Sequence, residues 1–310
     1  MSTSPPPDVV IADTGVAGPP AGERRSSWHE SPLRISIRRF CRHRLALASL
    51  IVLVLLAVMA IFAPLLAPDN PNAVSVTLFQ QAPSAAHWLG TDQAGRDVLS
   101  RLIFGSRVSL TVAVTSAISA GLIGLILGLL GGFLGGWVDS VVMRLTEIVL
   151  SFPALVVIIL LVAIIGPSVT AIVVVIALTQ WPTACRIVRQ ATRSLKEMDF
   201  ITAARATGCS NLRIMTRHIL SGVLPPLTVV LTLLSAEAIL LEAALSFLGL
   251  GVNVPESSWG GMMQAAQSLT TLSTEPWLWL PPGIIIAVAV LAINFVGDGL
   301  RDALDTRQQT

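Results

Sequence analysis

The feature that most constrains this chain is that its apolar residues are gathered into long blocks rather than scattered. Leu45 to Leu66 contains no charged residue and is long enough to cross a bilayer as a helix, which takes about 20 apolar residues. Further blocks run from Val108 to Leu134, Met143 to Ile165, Val169 to Trp181, Leu224 to Phe247 and Pro282 to Val296. In hydrocarbon every backbone polar group must be satisfied within its own segment, so such blocks are helices. The chain is therefore expected to be an all-α polytopic membrane protein with six transmembrane helices. Composition agrees: of 310 residues, 53% are hydrophobic and only 12% charged, against about a quarter charged in soluble domains.

The first span follows forty-four residues and is longer than the apolar core of a signal peptide, so it is read as retained. Residues 1–32 are rich in Pro, Gly and Ser and are expected to form a disordered tail. In residues 33–44, Leu33, Ile37, Phe40 and Cys41 recur at helical spacing among five arginines. That is a basic amphipathic helix suited to lipid headgroups, and with the first span it makes a unit over 33–67. Residues 68–107 form a loop, with a short helix expected after Gly95. The second span carries Gly124, Gly128, Gly132 and Gly136 four apart, one smooth face for close helix packing. Pro153 is expected to bend the third span, and Gly166-Pro167 to end it. The fourth opens at Val169 and is free to continue past Pro182 towards Gln190.

Arginine and lysine fix the orientation. With the N-terminus inside, seventeen of the 20 basic residues lie in inner segments and only Arg96, Arg101 and Arg107 outside. Both termini, including residues 303–310, are then cytoplasmic, the loop 68–107 is extracytoplasmic, and the protein sits in the cell membrane. Cys41, Cys185 and Cys209 form no CxxC pair and read as small apolar fillers rather than a disulfide framework. With no tyrosine, the interfacial belt falls to Trp88, Trp137, Trp181, Trp259, Trp277 and Trp279.

One inner segment is longer than a connection needs. Glu197 to Pro226 reads EMDFITAARATGCSNLRIMTRHILSGVLPP. Phe200, Ala203, Ala204 and Thr207 share a helical face, Gly208 suits a left-handed helix end, and Ser210 or Asn211 suits the N-cap of a second short helix through Ile219. The expected result is helix, glycine turn, helix, with small residues that let another protein approach closely. Acids near the spans are Glu147, Glu237 and Glu242. Such groups face the bundle interior or a water path; Glu237 is a candidate for the translocation path or for a helix-to-helix hydrogen bond, and Glu242 for a structural role. Arg96 and Asp97 are expected to organise the outer loop.

The inner segment resembles the EAA loop of permease subunits of ABC importers, whose pattern is Glu-Ala-Ala, three residues, Gly, nine residues, then an aliphatic position. Here it reads Thr202-Ala203-Ala204, Gly208, then His218-Ile219-Leu220. HWLGTDQAGRDVLSRL (87–102), GGWVDSVVMR (135–144), LEAALSFLGLG (241–251), SWGGMM (258–263) and GDGLRDALD (297–305) resemble the dipeptide/oligopeptide branch, in the second of its two permease subunits. The chain departs at Thr202, where the family has glutamate, and at Ser221-Gly222, where the branch often has Pro-Asn.

The resemblance implies a type I ABC importer permease fold with a five-helix core over 108–302, including a cytoplasmic coupling loop over 191–222. Thr202, Ala203, Ala204, Arg205 and Gly208 would contact the ATPase. The implied partners are a homologous permease subunit in a heterodimer, cytoplasmic ABC ATPases, an extracytoplasmic substrate-binding protein, a di- or oligopeptide and membrane lipid, with no nucleic acid, cofactor or metal. A P-loop needs Gly-Lys-Ser/Thr, and the lone lysine is Lys196, between Leu195 and Glu197. The chain is accordingly expected not to be an enzyme, with ATP hydrolysis on other subunits. Two alternatives stand beside peptide import. Nickel-chelate uptake uses similar permeases, although His29, His43, His87 and His218 do not cluster in the sequence. A proton-coupled secondary transporter would carry inverted repeats and midplane relays, and neither is evident.

Overall fold

The computed structural model describes residues 43–252 and 255–304, together with Arg38, Phe40 and Cys41. The tail 1–32, most of the amphipathic stretch and residues 305–310 lie outside the described residues; Arg38, Phe40 and Cys41 are helical.

Helix α1 (Arg44–Ile61) starts where the His43 side chain accepts from the Ala46 N–H and stops short of the expected Leu66, because the chain kinks at Phe62 before Pro64. Helix α2 (Val98–Leu134) begins ten residues earlier than the apolar block. Asp97 caps it, accepting from the Ser100 N–H at 2.7 Å, so the polar GRDVLSR segment joins the span. With 37 residues it is about 55 Å long and outreaches the hydrocarbon core. Helices α3 (Gly136–Leu150) and α4 (Ala154–Ile165) meet at 83° across Ser151–Pro153, the bend expected at Pro153. Helix α5 (Val169–Lys196) runs unbroken through Pro182. Helix α6 (Asp199–Ala206) is short, and α7 (Asn211–Phe247) follows. The second short helix expected after Gly208 is in fact the first turns of α7. A π-turn at Ile214–Ile219 absorbs the irregularity, and helix continues through Pro225 and Pro226. After α7 come α8 (Trp259–Met263), α9 (Leu269–Thr274) and α10 (Pro276–Leu304). Among the described residues five single helices are long and apolar enough to cross a membrane, and the bent α3–α4 pair makes a sixth if it is one span.

The glycine face works at three of its four positions. A Cβ on Gly124, Gly128 or Gly132 would stand 2.5–2.8 Å from Ala184, Cys185, Val188, Arg189 or Thr192 of α5, so α2 and α5 touch backbone to backbone. Gly136 does not join them. It opens α3 at φ +53°, with nothing near its missing Cβ.

At the end of the bundle opposite α6, Glu242 of α7 is fully buried. It accepts from Ser109 Oγ of α2 at 3.1 Å and from Ser246 Oγ at 2.7 Å. Ser109 Oγ in turn accepts from the Trp259 N–H at 3.2 Å, and Trp259 Nε1 donates to the Leu102 carbonyl at 3.1 Å. Trp259 (0% exposed) and Trp181 (7%) are therefore core residues rather than interfacial ones. The belt reading fails for Trp259 because its segment folds back into the bundle, and for Trp181 because α5 continues past Pro182, leaving it mid-helix rather than at a span edge. Trp88 and Trp137 are exposed, as expected. Asp97 and Arg96 organise the loop ahead of α2: Asp97 caps α2, and Arg96 Nε pairs with Asp92 at 2.8 Å.

Candidate coupling site

Helix α6 hangs from the end of α5 by a tight corner in which the Met198 N–H donates to the Leu195 carbonyl at 3.2 Å. Ile201 is its anchor, fully buried in the cluster formed by α2, α5 and α7. Ala204 packs half-buried against that cluster, while Thr202, Ala203, Arg205 and Gly208 are exposed. Its far end closes as a Schellman cap: Gly208 N–H donates to the Arg205 carbonyl at 3.0 Å and Cys209 N–H to the Ala204 carbonyl at 3.1 Å. Gly208 sits at φ +80° with open space where a Cβ would be, so conformation rather than room requires glycine there. Ser210, not Asn211, caps the following helix, accepting from the Arg213 N–H at 3.4 Å.

Charged side chains tie this corner to the spans. Lys196, in the last turn of α5, donates to the Phe133 carbonyl at 2.6 Å, one of the acceptors left unpaired at the end of α2. Lys196 and Arg205 lie 5.7 and 5.8 Å from the centre of the Phe133 ring, contacts worth about 0.5–1 kcal/mol where partly exposed. Beside them, the nearly buried Asp139 of α3 takes both arms of Arg189, through Nε and through Nη2 at 2.6 Å, and also Arg193 Nη2 at 2.8 Å. A forked arginine–carboxylate pair fixes direction as well as distance. The first turn of α3 is thus pinned to the last turns of α5, from which α6 follows through the Leu195–Met198 corner.

This ion cluster was missed at the level of sequence, where Arg189 and Arg193 served only to orient the chain and Lys196 to orient it and to exclude a P-loop. The available signal was the four-residue spacing of Arg189 and Arg193, one helical face needing an acid. Of the span acids, Glu237 lies exposed on α7 and is not gathered with other polar groups, whereas Glu242 is the buried hub already described. One group among the described residues has donor atoms close enough to hold a metal ion, namely Asp69, His87 and Asp97 at the opposite end.

Residues 120–310 match the model of the binding-protein-dependent transport system inner membrane component, and residues 31–86 that of the N-terminal transmembrane domain of oligopeptide transport permease C. The chain belongs to the family of binding-protein-dependent inner-membrane transport components. It is 42% identical over 278 residues to a putative peptide permease protein of Brucella suis biovar 1, covering 90% of this chain and 92% of that one. It is 40% identical over 280 residues to the dipeptide transport system permease protein DppC of Alkalihalophilus pseudofirmus, covering 90% and 91%. In structure it is similar to a chain of the MetNI methionine ABC transporter in an inward-facing conformation. That match has a TM-score of 0.54 and 20% identity, and covers 66% of this chain and 97% of the other. The fold is therefore that of a type I ABC importer permease, and the chain is a multi-pass membrane protein. As a member of this family it is a transport component, and ATP hydrolysis belongs to separate subunits.

Proposed function

We propose that this chain is one of two homologous permease subunits of an importer that carries di- or oligopeptides inward, and that α6 is its coupling helix. The observation that carries the coupling reading is the contrast on α6 itself. Ile201, buried in the cluster with Ile214 and Ile219 of α7, and the Arg205 contact with Phe133 of α2 hold one side of it, while Thr202, Ala203 and Gly208 stay exposed and small. A lever needs one fixed side and one free side. An ATPase groove that receives the free side would transmit its closure through α5 to α2 and α3.

In this reading both termini and α6 are cytoplasmic, which the placement of seventeen basic residues supports. The core would run from α2 to residue 302, with α6 and the adjoining turns of α5 and α7 forming the coupling segment over 191–222, and the loop 68–97 would face the binding protein. The peptide assignment rests on the names of the relatives, and Glu237 is a candidate wall residue of the path once the second subunit is in place.

The test is reconstitution with the partner permease, ATPases and binding protein in proteoliposomes. Gly208→Leu should abolish ATP-driven uptake of a labelled dipeptide while the protein remains in the membrane at wild-type level; normal uptake by that variant would refute the coupling role. Uptake of a nickel chelate but of no peptide by the wild-type complex would replace the peptide assignment.

A further inference from the structure

We propose that Asp69, His87 and Asp97 form a binding site for a borderline divalent cation of the zinc(II) class, which clamps the loop ahead of α2 onto the start of that helix. The three residues come from separate points of the chain. Asp97 is the N-cap of α2, His87 sits in a tight turn, and Asp69 lies just beyond α1.

The distances suit a metal. His87 Nδ1 lies 3.1 Å from Asp97 Oδ1 and 3.7 Å from Asp69 Oδ2, and all three donor atoms fall within 4.8 Å of one another. Zinc takes nitrogen and oxygen donors at about 2.0–2.2 Å, which in a tetrahedron sets neighbouring donors about 3.3–3.6 Å apart, between the two separations found at His87. Asp69, half-exposed at 50%, is the donor free to close the remaining gap, since His87 and Asp97 are 15% and 2% exposed.

Each donor is also held in place by contacts that leave its ligating atom free. Asp97 spends Oδ2 on the Ser100 N–H and keeps Oδ1 for the cluster. The Asp69 N–H donates to Ser100 Oγ at 3.0 Å. The His87 N–H donates to Ser84 Oγ at 3.1 Å, and the His87 carbonyl accepts from Ser84 and Gly90 N–H groups, both at 2.9 Å. A site pre-set in this way loses little order on binding.

Charge points the same way. Two nearby cations are already committed, for Arg96 Nε and Arg101 Nε both reach Asp92 Oδ2, at 2.8 and 3.4 Å. Among the described residues His87 is the one side chain in ion-pair range of Asp69 and Asp97. Two carboxylates facing a single imidazole are an anionic pocket, and the donor set of one nitrogen and two oxygens suits zinc or nickel better than the all-oxygen demand of calcium. A helix N-terminus opposes a cation, and the Asp97 cap answers that field before the metal is counted. The bound ion would be a resident clamp, independent of what the permease transports. Asp69 also lines a cavity of about 800 Å3 with Arg107 and Glu256, so the clamp would fix one wall of that cavity.

The experiment uses the assembled permease complex in lipid nanodiscs, stripped with chelator, equilibrated with zinc sulfate and freed of excess metal. Elemental analysis gives retained zinc, competition with a chromophoric chelator gives affinity, and X-ray absorption gives the donor shell. The expected result is a zinc ion with a nitrogen/oxygen shell, its affinity lowered at least tenfold in Asp69→Asn and in His87→Gln. Both variants keep the backbone contacts of the loop and the Asp97 cap. Retention of no zinc by the wild type would overturn the proposal, since His87 would then serve only as a hydrogen-bond bridge. Equal zinc binding by wild type and both variants, or sulfur in the shell, would also overturn it.

Discussion

The two ends of the bundle are held together by different chemistry. At the end opposite α6, α2, α7 and the 257–259 segment converge on Glu242, with Ser109, Ser246 and Trp259 bonded in a buried chain. At the α6 end the ties are ionic and partly wet. Asp139 holds Arg189 and Arg193, whose side chains are 21% and 50% exposed, and Lys196 and Arg205 flank Phe133. A buried, fully bonded polar network is costly to rearrange because each intermediate leaves a group unpaired in a low dielectric. The forked Asp139–Arg189 pair is little exposed and keeps this end in one piece, while water can replace the half-exposed Arg193 at little cost. The first end is suited to staying as it is, and the second to moving as a unit when pushed.

The largest effect should come from the buried end. Glu242→Ala strips Ser109 and Ser246 of their shared acceptor and opens a void between α2 and α7. Each unpaired buried hydroxyl costs about 1–3 kcal/mol, so the variant should lose roughly that much or more of its stability. Thermal unfolding in detergent, followed by circular dichroism, should show a clear drop in midpoint. An unchanged midpoint would mean that the network is not what holds this end.

A smaller structural effect but a sharper functional one is expected at Asp139. Asp139→Asn keeps the shape and removes the charge that Arg189 and Arg193 share. Truncating a buried ion pair costs about 3–5 kcal/mol, and surface pairs about 0–1; with Arg193 half-exposed, roughly 1–2 kcal/mol is expected here. Transport should suffer more than stability, because α3 would no longer follow α5. Uptake per ATP hydrolysed should fall at least fivefold, with the complex intact. Parallel loss of uptake and ATP hydrolysis would instead show that Asp139 serves assembly alone.

This contrast also explains what could be read from the sequence. The spans were legible because hydrocarbon demands long apolar helices, and a close-packing face on α2 because Gly124, Gly128 and Gly132 repeat at helical spacing, although α5 as its partner was not. Gly208 was legible because a left-handed turn has few occupants. Helix ends were not. Capping by Asp97 lengthens α2 beyond its apolar block, and the π-turn at Ile214–Ile219 fuses a supposed separate helix into α7. The ion cluster and the Asp69–His87–Asp97 group escaped for another reason. Asp139 meets Arg189 fifty residues later; the spacing of Arg189 and Arg193 marks a face that needs an acid, but tertiary packing decides which acid it is. The histidines, compared only with one another, concealed the carboxylates beside His87.

The smallest effect is expected where the chain departs most visibly from its family's pattern. Thr202 stands in place of the usual glutamate, and its side chain is exposed on α6. The register of the helix is set by Ile201, buried beneath, and by the Gly208 cap, neither of which a change at 202 disturbs. Thr202→Glu also places a carboxylate three residues before Arg205, an i,i+3 pair worth about 0.2–0.5 kcal/mol. Stability should therefore stay within about 0.5 kcal/mol of wild type. If α6 couples as proposed, through its anchored side, uptake should stay within about twofold of wild type, because surface changes away from such contacts are mild. A tenfold loss of uptake at unchanged stability would place the specificity of the joint in the exposed face, with a partner groove matched to threonine, and would shift the weight of the mechanism from the anchored side of α6 to the free one.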